Sequence, residues 1–132
     1  MDTGELYERG LKLRKKIFGG GDVEKRMQSM GEFGAPLQSI VNAYVYGDVW
    51  SRPGLPNKSR SLAMLGITAA INRPQEFRIH VKGALANGCT REEIREVLLL
   101  VAMYCGVPAS NEAHRIALEV FGENPKPDHS TT

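Results

Sequence analysis

Few side chains in this chain stand in a pattern that singles them out for proton, nucleophile or anion chemistry. Its 132 residues include three histidines and two cysteines. His80 lies in an apolar helical pattern, one turn after Glu76 and Phe77 and one turn before Ala84, so its imidazole is expected to be at least partly buried. A group so placed is either a hydrogen-bonded core histidine or a general acid facing a pocket, and one histidine alone defines no site. Arg60 opens another apolar helical face, with Met64 and Ile67 as neighbours, and a guanidinium there needs an anion. A ligand carboxylate satisfies that need as well as a protein carboxylate such as Glu32 or Glu76. His114, among Ser110, Ala117 and Leu118, reads as a surface or interface residue. His129 lies in a polar tail. Cys105 falls in the last turn of a helix, the negative end of the dipole, where a thiolate is disfavoured. It reads as a small buried apolar residue, and Cys89, between Gly88 and Thr90, reads as structural too.

Other site types lack their residues. There is no His-x-x-x-His or His-Glu-x-x-His, and the cysteines are not in a C-x-x-C pair, so no metal-ligand spacing exists. No Gly-x-Ser-x-Gly elbow is present. Gly19-Gly20-Gly21 follows no strand and lacks the lysine of a phosphate-binding loop.

The elements that must position these residues read as helices throughout. Asp2 to Ile17 is an amphipathic helix with Leu6, Tyr7, Leu11, Leu13 and Ile17 on a loose apolar stripe. Arg9, Lys12, Arg14, Lys15 and Lys16 form its solvated face. The three glycines break it, and Asp22 can cap a short helix through Met27. Gly31 to Pro36 is turn-rich and leads into a helix over about Leu37 to Tyr46 with Leu37, Ile40, Val41 and Tyr44 on one face. Gly47 to Pro56 is an ordered loop holding the single Trp, since two prolines and two glycines prevent a continuous helix. Helices follow over Lys58 to Ile71 and Pro74 to Asn87. Thr90 and Glu93 form a capping box for the next one. There Ile94, Val97, Leu98, Val101 and Ala102 repeat at helical spacing while Leu99 and Leu100 fill the other side. Such a helix is normally buried inside a domain or between subunits. Gly106 stops it and Pro108 fits the first turn of the last helix, to Phe121. Gly122 to Thr132 reads as a disordered tail. No stretch alternates with period two, so the chain is expected to be one all-α domain over residues 1–121, with about six or seven helices.

Composition sets outer bounds. The formal charge of +2 is too small and dispersed to suggest nucleic-acid binding. No apolar run is long enough to span a membrane. The first residues lack the basic and apolar regions of a signal peptide, so a cytoplasmic protein with reduced thiols is expected.

Several motifs together resemble the carboxymuconolactone decarboxylase family. They are Gly47-Asp-Val-Trp-Ser-Arg-Pro-Gly-Leu55, Arg60-Ser-Leu62, Asn72-Arg73, Glu76, His80, Ala84, Asn87-Gly88, Thr90-x-x-Glu93-Ile94-x-Glu96-Val97 and Tyr104-Cys-Gly-Val-Pro-Ala109. The resemblance covers roughly residues 5 to 121. The Trp loop with Arg60 points to the decarboxylase branch. In the branch similar to alkylhydroperoxidase D, a Cys-x-x-Cys precedes the histidine. Those positions are Arg73 and Glu76 here, so disulfide chemistry lacks its reactants.

The resemblance implies an alkylhydroperoxidase D-like helical subunit, a homohexamer, no metal or organic cofactor, and no nucleic-acid or membrane partner. It implies a lactone carboxylate substrate from the protocatechuate branch of aromatic degradation. This is 4-carboxymuconolactone, a butenolide with a carboxylate on its γ-carbon and an acetate arm, decarboxylated to an enol-lactone. On that footing His80 is the acid that protonates carbon or donates to the oxyanion, and Arg60 binds a carboxylate or the oxyanion. Arg52 is a second carboxylate partner, and Glu32 and Glu76 orient His80 or Arg60. Trp50 and Tyr44 wall the pocket, or else pack the core. The rival readings are the same fold acting on another lactone or carboxylate, a non-catalytic ligand-binding or assembly protein, and redox chemistry at Cys105 alone.

Overall fold

The computed structural model describes residues 1–123. Among them are six α-helices and one π-helix, and no strand: α1 (Thr3–Phe18), α2 (Gly20–Ile40), the π-helix (Val41–Val49), α3 (Asn57–Ala70), α4 (Pro74–Ala86), α5 (Arg91–Cys105) and α6 (Val107–Glu123). The all-α reading is correct. The chain groups into two compact units, one over Met1–Asn57 and one from Lys58 onward. Of the expected tail, Gly122 and Glu123 complete α6. Residues 124–132, with His129, lie outside the described residues.

In the first unit, α1 opens on a capping box. Asp2 Oδ1 accepts from the Glu5 amide at 2.8 Å, and Glu5 Oε1 accepts from the Asp2 amide at 3.1 Å. The helix stops at Gly19, whose φ of 92° favours glycine. The break is this single residue, because α2 already begins at Gly20. That helix runs past the expected stop at Met27 and turns only at Gly31, with φ 59° and ψ −157°. The expected turn from Gly31 to Pro36 is therefore one glycine, followed directly by helix.

Where a third α-helix and then a loop from Gly47 were expected, the chain forms the π-helix. Its last bond is Trp50 N–H to the Val45 carbonyl at 2.8 Å. Packing of α1 on this segment is close enough to need glycine on both sides. A Cβ on Gly10 would stand 1.6 Å from the Asn42 carbonyl oxygen, and one on Gly47 would stand 2.1 Å from that of Leu6. Arg9 Nε and Nη2 both donate to the Gly47 carbonyl, at 2.8 and 2.6 Å.

Arg14 corrects the solvated-face reading of α1. It is 4% exposed. Its Nη1 donates to Gln38 Oε1 at 2.9 Å and Asn42 Oδ1 at 3.0 Å, and its guanidinium stands 5.8 Å from the Tyr46 ring centre. Burial lowers the Arg14 pKa from its ordinary value. The helical positions of Gly10, Arg14, Ile17 and Phe18 share one face, so a basic run in sequence is split between solvent and interior. Leu37, Ile40 and Tyr44 do share a side, but it is exposed, and Phe33 one turn earlier is 100% exposed.

The second unit has the larger apolar core. Leu65 of α3, Phe77 and Val81 of α4, Ile94 and Leu98 of α5 and Val120 of α6 are its main fully buried members. Pro74 occupies the first turn of α4, where its missing N–H costs nothing. The capping box of α5 forms as expected, with Thr90 Oγ1 accepting from Glu93 N at 3.0 Å and Glu93 accepting from Thr90 N at 2.8 Å. Glu93 Oε2 also pairs with Lys58 Nζ in the first turn of α3 at 2.9 Å. Ser110 Oγ donates to the Leu98 carbonyl at 2.7 Å, holding α6 against α5. One side of α5 is not buried: Leu99, Leu100, Met103 and Tyr104 are exposed. Cys105 is exposed with them, contrary to the buried reading, because it ends the helix on that open side.

Candidate active-site residues

His80 is held by the α4 pattern that buries Phe77, Val81 and Ala84, and it is itself 8% exposed. Glu76 lies one turn earlier, exposed in the first turn of the helix. Arg60 is half-buried in the first turn of α3. Its neighbour Ser61 is fully buried, and Ser61 Oγ accepts from Asn87 Nδ2 at 2.9 Å. That bond ties the start of α3 to the C-terminal end of α4, so the helices bearing Arg60 and His80 are fastened to each other. Arg60, Glu76 and His80 thus all belong to the second unit.

The first unit holds the other candidates. Trp50 is buried, with its ring 5.6 Å from that of Tyr46 and tilted by 31°. Arg52 is exposed and paired to Asp48, Nε to Oδ1 at 2.9 Å. The hydrogen bond from Arg52 holds the Asp48 carboxyl below the usual range, and the same bond raises Arg52. Trp50 and Arg52 line one groove of about 500 Å³ together with Arg9, Lys12, Leu13, Lys16 and the loop to Asn57. Tyr44 and Glu32 are not among its lining residues; both are exposed, on the π-helix and directly after Gly31.

Arg9, Lys12 and Lys16 were expected only as part of a solvated face. The signal that could have found them is their spacing. With Leu13 they follow the i, i+3, i+4, i+7 pattern of a single helical side, and that side walls the groove.

The two thiols differ. Cys89 is buried, its Sγ 3.5 Å from the Lys58 carbonyl, and burial raises its pKa. Cys105 edges an apolar groove of about 490 Å³ with Leu62, Gly66, Val97, Leu100 and Tyr104. His114 Nδ1 lies 2.8 Å from the carbonyl of Ser110, one turn back on its own helix. Among the described residues no three His, Cys, Asp or Glu side chains gather as metal ligands, and no helix is long and apolar enough to cross a membrane.

Comparison with known proteins gives three findings. The model of the carboxymuconolactone decarboxylase family matches residues 35–119. The chain is 36% identical over 121 residues to 4-carboxymuconolactone decarboxylase of Acinetobacter baylyi, covering 92% of this chain and 90% of that one. It is 40% identical over 108 residues to nitrosuccinic acid decarboxylase of Metarhizium robertsii, covering 82% of this chain and 76% of that one.

Proposed function

This chain belongs to the carboxymuconolactone decarboxylase family and is a decarboxylase of that family, and we propose that it converts 4-carboxymuconolactone to its enol-lactone in the protocatechuate branch of aromatic degradation. The observation that carries this reading is the 36% identity to the Acinetobacter baylyi enzyme over 92% of the chain.

The chemistry asks little of the protein beyond charge and one proton. Breaking the bond between the γ-carbon and its carboxylate releases carbon dioxide. The electron pair passes through the ring alkene onto the lactone carbonyl, giving a furan-type oxyanion, so the substrate is its own electron sink and no cofactor is required. His80 then delivers a proton to the α-carbon, regenerating the carbonyl and leaving the enol-lactone. Arg60 stabilises the developing oxyanion or anchors a carboxylate, and Glu76, one turn before His80, orients the imidazole. Burial of His80 supports its role, since a general acid works best where water does not compete for the proton.

A second substrate class is favoured by the 40% identity to nitrosuccinic acid decarboxylase. By its name that acid is a nitro-substituted dicarboxylate, and a nitro group can take up an electron pair as the lactone carbonyl does. Purified protein is incubated with each acid while carbon dioxide is followed. Release from the lactone, with formation of the enol-lactone, supports the reading. Release from nitrosuccinate alone replaces it with the second.

We further propose that the subunit assembles as a homohexamer. Phe33, Leu37, Ile40 and Tyr44 of the first unit and Leu100, Met103 and Tyr104 of the second are exposed apolar groups of a kind that subunit contacts cover.

A further inference from the structure

Besides Arg52, the groove beside Trp50 carries charges to which no role has been given. Four cations stand on its walls, Arg9, Lys12 and Lys16 from α1 and Arg52 from the Trp loop. Arg52 is matched by Asp48 at 2.9 Å. Arg9 is steadied by the Gly47 carbonyl, which accepts from two of its nitrogens, and its charge is felt by the same Asp48. Lys12 and Lys16 form no ion pair within 4 Å among the described residues, whereas Lys15 on the same helix pairs with Glu24 at 2.6 Å. Lys12 and Lys16 are one turn apart, where like charges repel. An anion between them would remove that repulsion.

The groove is not merely basic. Leu13, Leu55 and two prolines line it beside Trp50, whose ring is fixed against Tyr46. Its volume of about 500 Å³ falls within the range of small-ligand sites. A simple inorganic anion would need no such apolar wall, and a neutral ring would need no lysines. The combination suits a flat organic molecule with more than one carboxylate.

We propose that this groove binds flat organic dicarboxylates, with Lys12 and Lys16 holding one carboxylate while the frame lies along Leu13, Leu55 and Trp50. The groove itself is testable without turnover, because Trp50 is the only tryptophan in the chain and reports on occupancy by its fluorescence. Full-length protein is titrated with phthalate, benzoate and inorganic phosphate, and calorimetry repeats the titration without relying on the reporter.

Phthalate should perturb Trp50 and bind at least about tenfold more tightly than benzoate or phosphate, since it alone offers a second charge on an apolar frame. The double variant K12Q/K16Q should lose that preference. His80→Gln should keep it. Unchanged phthalate affinity in K12Q/K16Q, or benzoate or phosphate binding as tight as phthalate, would each overturn the proposal. Selective phthalate binding by a protein that does not decarboxylate the lactone would sink the functional reading and leave the groove standing.

Discussion

Arg14 Nη1 donates to Asn42 Oδ1 at 3.0 Å inside the first unit, and the same nitrogen reaches Gln38 Oε1. A charged group there holds two otherwise buried acceptors. Replacing Arg14 by Ala removes their donor and opens a cavity, so about 3 kcal/mol of stability should be lost. Arg14→Lys should recover only part, because an ammonium lacks the planar guanidinium that lies by the Tyr46 ring. Urea unfolding followed by helical circular dichroism measures both.

Tyr46 makes the same interior sensitive to alkali. Burial pushes its phenol up to about 12 from the ordinary 10. Its folded pKa is raised, so the folded state holds the phenolic proton more tightly. The associated stability is complete below pH 10 and is lost as the pH rises from 10 towards 12. Tyr46→Phe should flatten the fall in unfolding midpoint across that window. A slope as steep as that of the unsubstituted protein would show that other groups govern it.

Gly10 and Gly20 offer opposite outcomes for one substitution. Gly10→Ala drives a methyl to 1.6 Å from the Asn42 carbonyl oxygen, and backbone on both sides can yield little. A loss of at least about 3 kcal/mol is expected. Gly20 starts α2, and a methyl added there would meet nothing within 4 Å, so Gly20→Ala should gain up to about 1 kcal/mol by restricting the unfolded chain. Thermal melts of the two variants compare them directly.

For the proposed chemistry, His80→Gln should lower kcat by ~10²–10⁴, the usual worth of a positioned proton donor. Arg60→Ala should lower kcat/KM by about 10²–10³ through lost charge stabilisation. Helical circular dichroism should be unchanged in both. Full activity in either variant removes that residue from the mechanism.

The proposed assembly can be tested on the open side of α5. Leu100→Glu and Tyr104→Glu place charges on groups already exposed in the single chain, so the subunit should still fold. If the proposed hexamer forms through this side, light scattering after size exclusion should show a smaller species than for the unsubstituted protein. A hexamer unaffected by both changes would move the interface elsewhere.

The helical plan was legible where apolar spacing and caps agree. The Thr90–Glu93 box, the Gly106 stop and Pro74 at the start of α4 all form as their local chemistry dictates. The burial of His80 followed from the same periodicity. What the pattern hid depends on neighbours distant in sequence. Arg14 looks like Lys12 or Lys15 in a basic run, and only the packing of Gln38, Asn42 and Tyr46 distinguishes it. The π-helix gives no periodic signal of its own, and its Gly47 looked like the start of a loop. Cys105 reads as a buried apolar residue because the last turn of a helix disfavours a thiolate, and that argument says nothing of the side it ends on, which in a single chain is bare. The basic wall of the groove was masked by the ordinary habit of helices to turn lysines outward.

Glu93 belongs to two structures at once. One of its oxygens closes the cap of α5 and the other pairs with Lys58, two residues before Arg60. Glu93→Gln could keep the cap and yet release the start of the helix that carries the arginine. A mutational survey scored by stability alone would pass over such a change, and, with Arg60 in its proposed role, one scored by turnover would register it. Tolerance at this surface position therefore depends on what selection reads, the fold or the reaction.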